Sequence, residues 1–470
     1  MAEPHERTPP EDPTKPTRGG AAAAQPPSSP PSTTAVGLVI VVAALGYFVD
    51  IFDLLLFGLV RTSSLSELLA TELAGKSAEE RTAILTVNGV WLDNILQTTG
   101  LLVGGLVWGV IADRRGRLSV LFGSILCYSV ANLLNAAVTD VDPNGPAGFL
   151  HAVGLGSAIN QYGVLRFVAG FGLAGELGAG ITLVSELVSR ERRGLATTFV
   201  AAVGILGAVA GYFTTQFVGW RTAFVIGGVL GLLLLALRIG VVESGMFLSA
   251  ERAHVSGRGA FWKLFWPRER LVRWMSTVLI AVPIWFVVGT LVKYCDRIMP
   301  SLGLGGAQTP SVAKSIMWCY VGLAAGDLAS GLTGQWLRSR KRSIALFHVL
   351  TLVGLALYFT VAPRSLEAYY AVILFVGFAS GFWAVFATVA AEQFGTNLRA
   401  TAATMAPNVV RWSAAGTGWL WLWLSNKGDG AGLEPWVAAL VVAAIVMPVA
   451  MIATLGLRES YGTDLDFNEK

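Results

Sequence analysis

Twelve stretches of this chain are long and apolar enough to cross a bilayer, which limits its fold more than any other feature. They fall at 36–60, 84–112, 118–138, 159–187, 194–217, 220–240, 273–297, 312–336, 343–362, 367–391, 399–424 and 434–457. A spanning helix needs about 20 largely apolar residues, and inside lipid a chain must satisfy its own backbone polar groups. The sequence therefore predicts an all-α integral membrane protein with twelve transmembrane helices. Composition agrees: 14% of residues are charged and 54% hydrophobic, where a soluble domain is about 25% charged. Residues 1–35 are rich in Pro, Ser, Thr and Ala and hold no apolar run. They are expected to be a disordered tail with no cleaved signal sequence, and 458–470 a short C-terminal tail.

The charges outside these stretches set the orientation. The Lys/Arg excess is clearest in the short loops after spans 2, 4 and 8, so both termini are expected in the cytoplasm of a cell with an inner membrane. The net charge of +4 is spread over such loops, which is not the footprint of a nucleic-acid binder. The longest connection on that side, 241–272, is basic and holds Trp262 and Trp266. It is expected to be a linker between an N-terminal half (36–240) and a C-terminal half (273–457). An internal repeat supports the division: Glu186 and Arg193 stand seven residues apart between spans 4 and 5, and Glu392 and Arg399 stand seven apart between spans 10 and 11. Cys127, Cys295 and Cys319 lie in or beside apolar runs with no C-x-x-C spacing, as packing residues would. The four histidines are scattered; no metal or cofactor is expected, and no nucleophile constellation suggests an enzyme.

An ionisable group in the membrane costs roughly 2.5–3.5 kcal/mol on insertion scales and is kept for a partner, a cavity or a task. Asp50 and Asp53 sit three apart in span 1, which puts them on one helical face; two close carboxylates do not ionise together easily, which suits a proton carrier. Arg166 opens span 4 at a similar depth to Asp53 and is expected to pair with it, either statically or in exchange with protonation. Glu176 lies deeper and is expected to be protonated, to be a second proton-coupling site, or to partner a cation of the other half such as Arg411 of span 11. A buried Arg needs an anion, and for Arg411 that anion is a protein carboxylate or a substrate carboxylate. Asp93 and Gln97 are expected to line a cavity, with Trp285 and Trp383 as possible walls. Lys293, Asp296 and Arg297 are expected to form a solvated outer rim, Arg61 to lie in an outer loop, and Asp327, in the inner half of span 8, to pair with a loop arginine.

The loop Gly109-Val110-Ile111-Ala112-Asp113-Arg114-Arg115-Gly116-Arg117 joins spans 2 and 3. Its G-x-x-x-D-R-x-G-R pattern resembles the signature of the major facilitator superfamily. Within it, Gly175-Glu176-Leu177-Gly178-Ala179, Gly219-Trp220-Arg221, Val242-Glu243-Ser244 and Glu392-Gln393-Phe394-Gly395-Thr396-Asn397-Leu398-Arg399 look like the metabolite:proton symporters. The sugar porters share an aspartate and an arginine at the positions of Asp53 and Arg166. The resemblance implies two pseudo-symmetric six-helix halves that rock about one solute site, carrying a small organic acid or zwitterion with protons. It implies that Gly109, Asp113, Arg114, Gly116, Arg117, Glu186, Arg193, Glu392 and Arg399 form a cytoplasmic gate. Partners are then the solute, protons and the lipid bilayer, with the chain a monomer. A sugar porter, a proton-antiporting exporter and a sensor that does not transport are the alternatives.

Overall fold

In a computed structural model the structure describes residues 33–115, 117–175, 190–243 and 264–462. Among the described residues the helices line up as twelve rods: α1 (Thr33–Leu68), α2 (78–115), α3 (Arg117–Asn135), α4 (Ala158–Leu173), α5 (Arg190–Phe217), α6 (Trp220–Glu243), α7 (Arg268–Val292), α8 (Val312–Trp336), α9 (Arg340–Thr360), α10 (Leu366–Glu392), α11 (Thr396–Ser425) and α12 (Pro435–Gly456). Local sequence sets many of their starts. Ser77, Ser157, Ser311, Ser339 and Ser365 each accept a hydrogen bond from the backbone N–H three residues on, and Ser77 forms a full capping box with Glu80; such caps satisfy N–H groups that a helix start leaves open. Proline opens α12, where its missing N–H costs nothing.

Seven described helices meet a length-and-hydropathy standard for crossing a membrane. The α3 and α5 rods contribute shorter apolar runs, Val120–Asn135 and Val203–Phe217, and the described part of α4 stops at residue 175. α1 runs to Leu68, past the expected end at 60, and α7 begins at Arg268 within the stretch expected to be linker. Most of that linker, with Trp262, lies outside the described residues; Trp266 is exposed.

Glycines draw the rods together in the same way in both halves. A β-carbon on Gly100 or Gly104 of α2 would stand 2.1 or 2.3 Å from the carbonyl oxygens of Phe167 and Phe171 on α4, and one on Gly170 would stand 2.1 Å from the carbonyl of Gln97. In the second half Gly322 and Gly326 of α8 meet the carbonyls of Leu374 and Phe378 on α10 at 2.1 Å each, and Gly377 meets that of Cys319 at 2.1 Å. The G-x-x-x-G spacing that lets backbones touch in lipid thus recurs at corresponding helices, α2–α4 and α8–α10.

Among the described residues three rods are irregular. Val90–Gln97 in α2 and Val287–Val292 in α7 take π-helical form, and α10 breaks at Ser380-Gly381-Phe382 before resuming at Trp383. π segments and helix breaks are frequent at functional sites, and all three lie at the seam or the cavity described next.

A buried cation in an aromatic cavity

A cavity of about 400 Å³, its open side included, lies between the halves. Tyr47, Ile51 and Leu54 of α1 and Ile205 of α5 line it from the first half; Ile284, Trp285, Val288, Tyr320, Leu323, Trp383 and Arg411 line it from the second. Arg411 is 4% exposed. Its guanidinium carbon stands 5.9 Å from the Trp285 ring centre and 5.7 Å from that of Trp383, at cation–π range. The two indoles meet at 63° with centres 6.4 Å apart. The guanidinium Nε has no hydrogen-bond partner, and among the described residues no carboxylate stands within ion-pair distance of it. Asp50 and Tyr47 act on it electrostatically. This arrangement suits a planar anion: charge-assisted bonds from a guanidinium on one side, aromatic faces on the others.

Trp383 is placed by the break in α10. Asp327 of α8, expected from sequence to meet a loop arginine, instead accepts the backbone N–H of Ala384 at 3.0 Å at the start of the helix that carries Trp383. Loss of an N-cap costs about 1 kcal/mol. Asp327→Ala is accordingly expected to weaken solute binding several-fold and Asp327→Asn, which retains a capping oxygen, much less; equilibrium binding to the purified protein checks this.

The remaining sequence candidates divide by position. Asp50 and Asp53 lie about 60° apart around α1 and meet different neighbours. Asp50 acts on Arg411 and Tyr47, whereas Asp53 faces α6, its Oδ1 in the space a β-carbon on Gly227 would need. Arg166 is fully buried and does not form the direct pair with Asp53. It donates from Nη2 to Asn132 Oδ1 at 2.8 Å and lies 4.7 Å over the Phe224 ring; Asp53 acts on it at longer range, and Asp93 more strongly. Asp93 and Gln97 are not in the cavity lining: Gln97 donates to the Leu54 carbonyl at 3.4 Å, and Asp93 pairs with Lys293.

That pair corrects the expectation of a solvated rim. Lys293 is buried, and its ammonium meets Asp93 across the two halves. Arg61, a residue of α1 rather than a loop, is buried and pairs with Asp296, again across the halves. Between the pairs Asn94 donates to the carbonyls of Gly289 (3.0 Å) and Ala414 (3.2 Å), and Tyr294 stacks on Trp421 beneath the Arg61 guanidinium. Both π segments meet here. Hydropathy reads a charge as the end of a span and carries no sign of a partner some 200 residues away, so sequence offered no signal for either pair. This end of the bundle, which carries the α1–α2 connection, is closed.

At the opposite end Glu392 stands 3.7 Å from Arg340 and accepts from Ser460 Oγ at 2.6 Å. Glu459 lies beside it. Burial works to raise the Glu459 carboxyl, but the Ser339 hydroxyl and the backbone N–H groups of Tyr461, Arg340 and Lys341 outweigh it and hold the group below the usual carboxylate range. These bonds fasten the segment after α12 under the α8–α9 turn. Asp113, Arg114, Arg117, Arg193 and Arg399 lie on described helices, but their side chains are outside the described part, and Gly116, Glu176 and Glu186 are outside it altogether. Gly109 has open space where a β-carbon would stand. Among the described residues no cluster of His, Cys, Asp and Glu could hold a metal.

The chain is 25% identical over 408 residues to the niacin transporter of Acinetobacter baylyi, covering 78% of this chain and 84% of that one. It is 24% identical over 324 residues to the 3-(3-hydroxy-phenyl)propionate transporter of Escherichia coli, covering 67% and 72%. A shorter segment of 154 residues is 34% identical to the 4-hydroxybenzoate transporter of Pseudomonas putida, 32% of this chain and 30% of that one. Among solved structures, the inward-open xylose transporter of E. coli superposes with a TM-score of 0.63 at 16% identity over 92% of this chain and 98% of that chain, which shows the shared fold. A sequence profile of the Major Facilitator Superfamily matches residues 91–418. The chain belongs to the Major Facilitator Superfamily: it is a multi-pass membrane transporter of a small-molecule substrate, with two six-helix halves, and not an enzyme.

Proposed function

We propose that this protein is a proton symporter that takes up a small aromatic carboxylate across the inner membrane, as a monomer, with the α2–α3 end and both termini in the cytoplasm. The observation that carries the reading is Arg411, a buried cation held between Trp285 and Trp383 on a cavity built by both halves. The relatives named for niacin, hydroxybenzoate and hydroxyphenylpropionate support a substrate with one ring and one carboxylate. Among the described residues the lining has no Asn or Gln, the side chains that a sugar's hydroxyls would call for. Arg411 takes the carboxylate, the indoles and Tyr47 take the ring, and Asp50, Asp53 and Arg166 carry coupling, with Glu176 a further carboxylate on the same route. The charges from Asp113 to Arg117 and Glu186, Arg193, Glu392 and Arg399 gate the cytoplasmic end in the opposite state.

A monocarboxylate moved with one proton carries no net charge, so ΔpH drives it and the membrane potential does not. Each further proton adds about 2.3 kcal/mol per 100 mV. The test is uptake of nicotinate, 4-hydroxybenzoate and 3-(3-hydroxyphenyl)propionate, with xylose as the contrasting solute, into proteoliposomes loaded with a pH dye. The expected result is carboxylate-dependent acidification, lost in Asp53→Asn while exchange of labelled solute survives. Uptake without acidification, acidification persisting in Asp53→Asn, or xylose in place of the acids would sink the reading.

A further inference from the structure

Asp93 interacts with a cation from each half. Lys293 comes from the end of α7 in the C-terminal half and pairs with it; the two side chains are 6% and 3% exposed. Arg166 belongs to the N-terminal half, on α4, which packs directly on the π segment that carries Asp93: a β-carbon on Gly163 would meet Leu92 and Leu96, and one on Gly170 the Gln97 carbonyl; Asp93 acts on Arg166 electrostatically. Arg166 has hydrogen-bonding capacity to spare, since its Nε and Nη1 have no partner. Among the described residues Asp93 also acts on the phenols of Tyr162 (α4), Tyr294 (after α7) and Tyr320 (α8). Arg61 of α1 shares Tyr294 with it, and Asp53 of α1 shares Arg166. α3 offers the uncharged Asn132 to Arg166, and α11 offers only the Ala414 carbonyl and Gly418 to the neighbouring Asn94.

Opening this end must part the halves, and Lys293 then leaves with the C-terminal one. A buried carboxylate stripped of its cation is costly, and Arg166 is a cation of its own half on which Asp93 already acts. We propose that Asp93 exchanges partners during transport, held by Lys293 while the α1–α2 end is closed and by Arg166 while it is open. The exchange ties the gate to the proton. With Arg166 turned to Asp93, Asp53 loses its cation's field and binds a proton; with Asp53 ionised, Arg166 is drawn back and Asp93 returns to Lys293. Acid therefore favours the open state. The proton on Asp53 is part of the function proposed above, on which this inference rests.

The test reads the gate directly and needs no solute. Glu79 in α2 and Lys427 after α11 are exposed and face one another across the halves at 3.6 Å, a pair that contributes little by itself. Spin labels on Glu79→Cys and Lys427→Cys, with Cys127→Ala, report opening in nanodiscs between pH 8 and pH 5. The unaltered gate is expected to show a short distance at pH 8 and a growing long-distance population at pH 5. Lys293→Gln shifts the open-to-closed ratio by roughly tenfold or more at both pH values, the effect of breaking a buried pair. Asp93→Asn opens the gate and abolishes its pH response. The charge swap, Asp93→Lys with Lys293→Asp, separates a latch from an exchange: it restores the short distance but not the pH response, because a lysine at 93 has nothing to offer Arg166. A swap that restores both, or a pH response that survives Asp93→Asn while Asp53→Asn loses it, would overturn this inference alone; a response that survives Asp53→Asn would overturn the proton site as well.

Discussion

Arg411→Gln is expected to lower kcat/KM for an aromatic carboxylate by roughly a hundredfold or more, the largest effect of any single cavity substitution. Hydrogen bonds to charged groups contribute roughly 1.5–3 kcal/mol each, a planar carboxylate takes two from a guanidinium, and 1.4 kcal/mol is about tenfold. The glutamine keeps polarity and much of the volume, so the loss reports charge rather than collapse of the cavity. Arg411→Lys should recover about tenfold, because an ammonium between Trp285 and Trp383 keeps the charge but not the fork. The discriminating comparison is nicotinate against nicotinamide, which share a ring and differ in charge. Arg411→Gln should cost the acid its advantage and leave the amide within a few-fold. Equal losses for acid and amide would mean that Arg411 holds the cavity together instead of gripping the solute.

Arg411 was legible in the sequence because an isolated cation inside an apolar run has few explanations. The spans were legible for the same reason in reverse. Lost to sequence were features that depend on distant contacts. Arg61 looked like the end of a span, yet α1 continues past it because Asp296 of the other half neutralises it. Lys293 and Asp93 each looked solvent-facing or cavity-lining until brought together over 200 residues of chain. The π turns at Val90–Gln97 and Val287–Val292 change which side chains face the seam, and no residue type announces an i→i+5 bond. Asp327 seemed to want an arginine; a break in α10 supplies backbone N–H groups instead.

Gly104→Val and Gly326→Val are the second pair of substitutions with large expected effects, this time on assembly. Overpacking a core with extra methyl groups ordinarily costs about 1–3 kcal/mol because side chains can shift. Here the obstacle is backbone. A β-carbon at 104 would lie 2.3 Å from the Phe171 carbonyl oxygen, and one at 326 would lie 2.1 Å from that of Phe378, so α2 must move off α4, or α8 off α10, as a whole. Helices in lipid hold together by close packing rather than by exclusion from water, and a gap along the crossing removes contacts at Gly100 and Gly170, or at Gly322 and Gly377, as well. The yield of monodisperse protein should fall to about a tenth or less for either valine. Gly331→Ala is the internal comparison: it sits on the same helix as Gly326 with open space around it, and replacing a helical glycine there should be neutral or stabilise by up to about 1 kcal/mol. The measurement is size-exclusion yield with thermal unfolding of whatever is recovered. Both halves must respond alike, because the same crossing makes each of them a rigid body. If only one half lost stability, the halves would differ in stiffness, and the cavity between them would close by deformation of the softer one rather than by rocking.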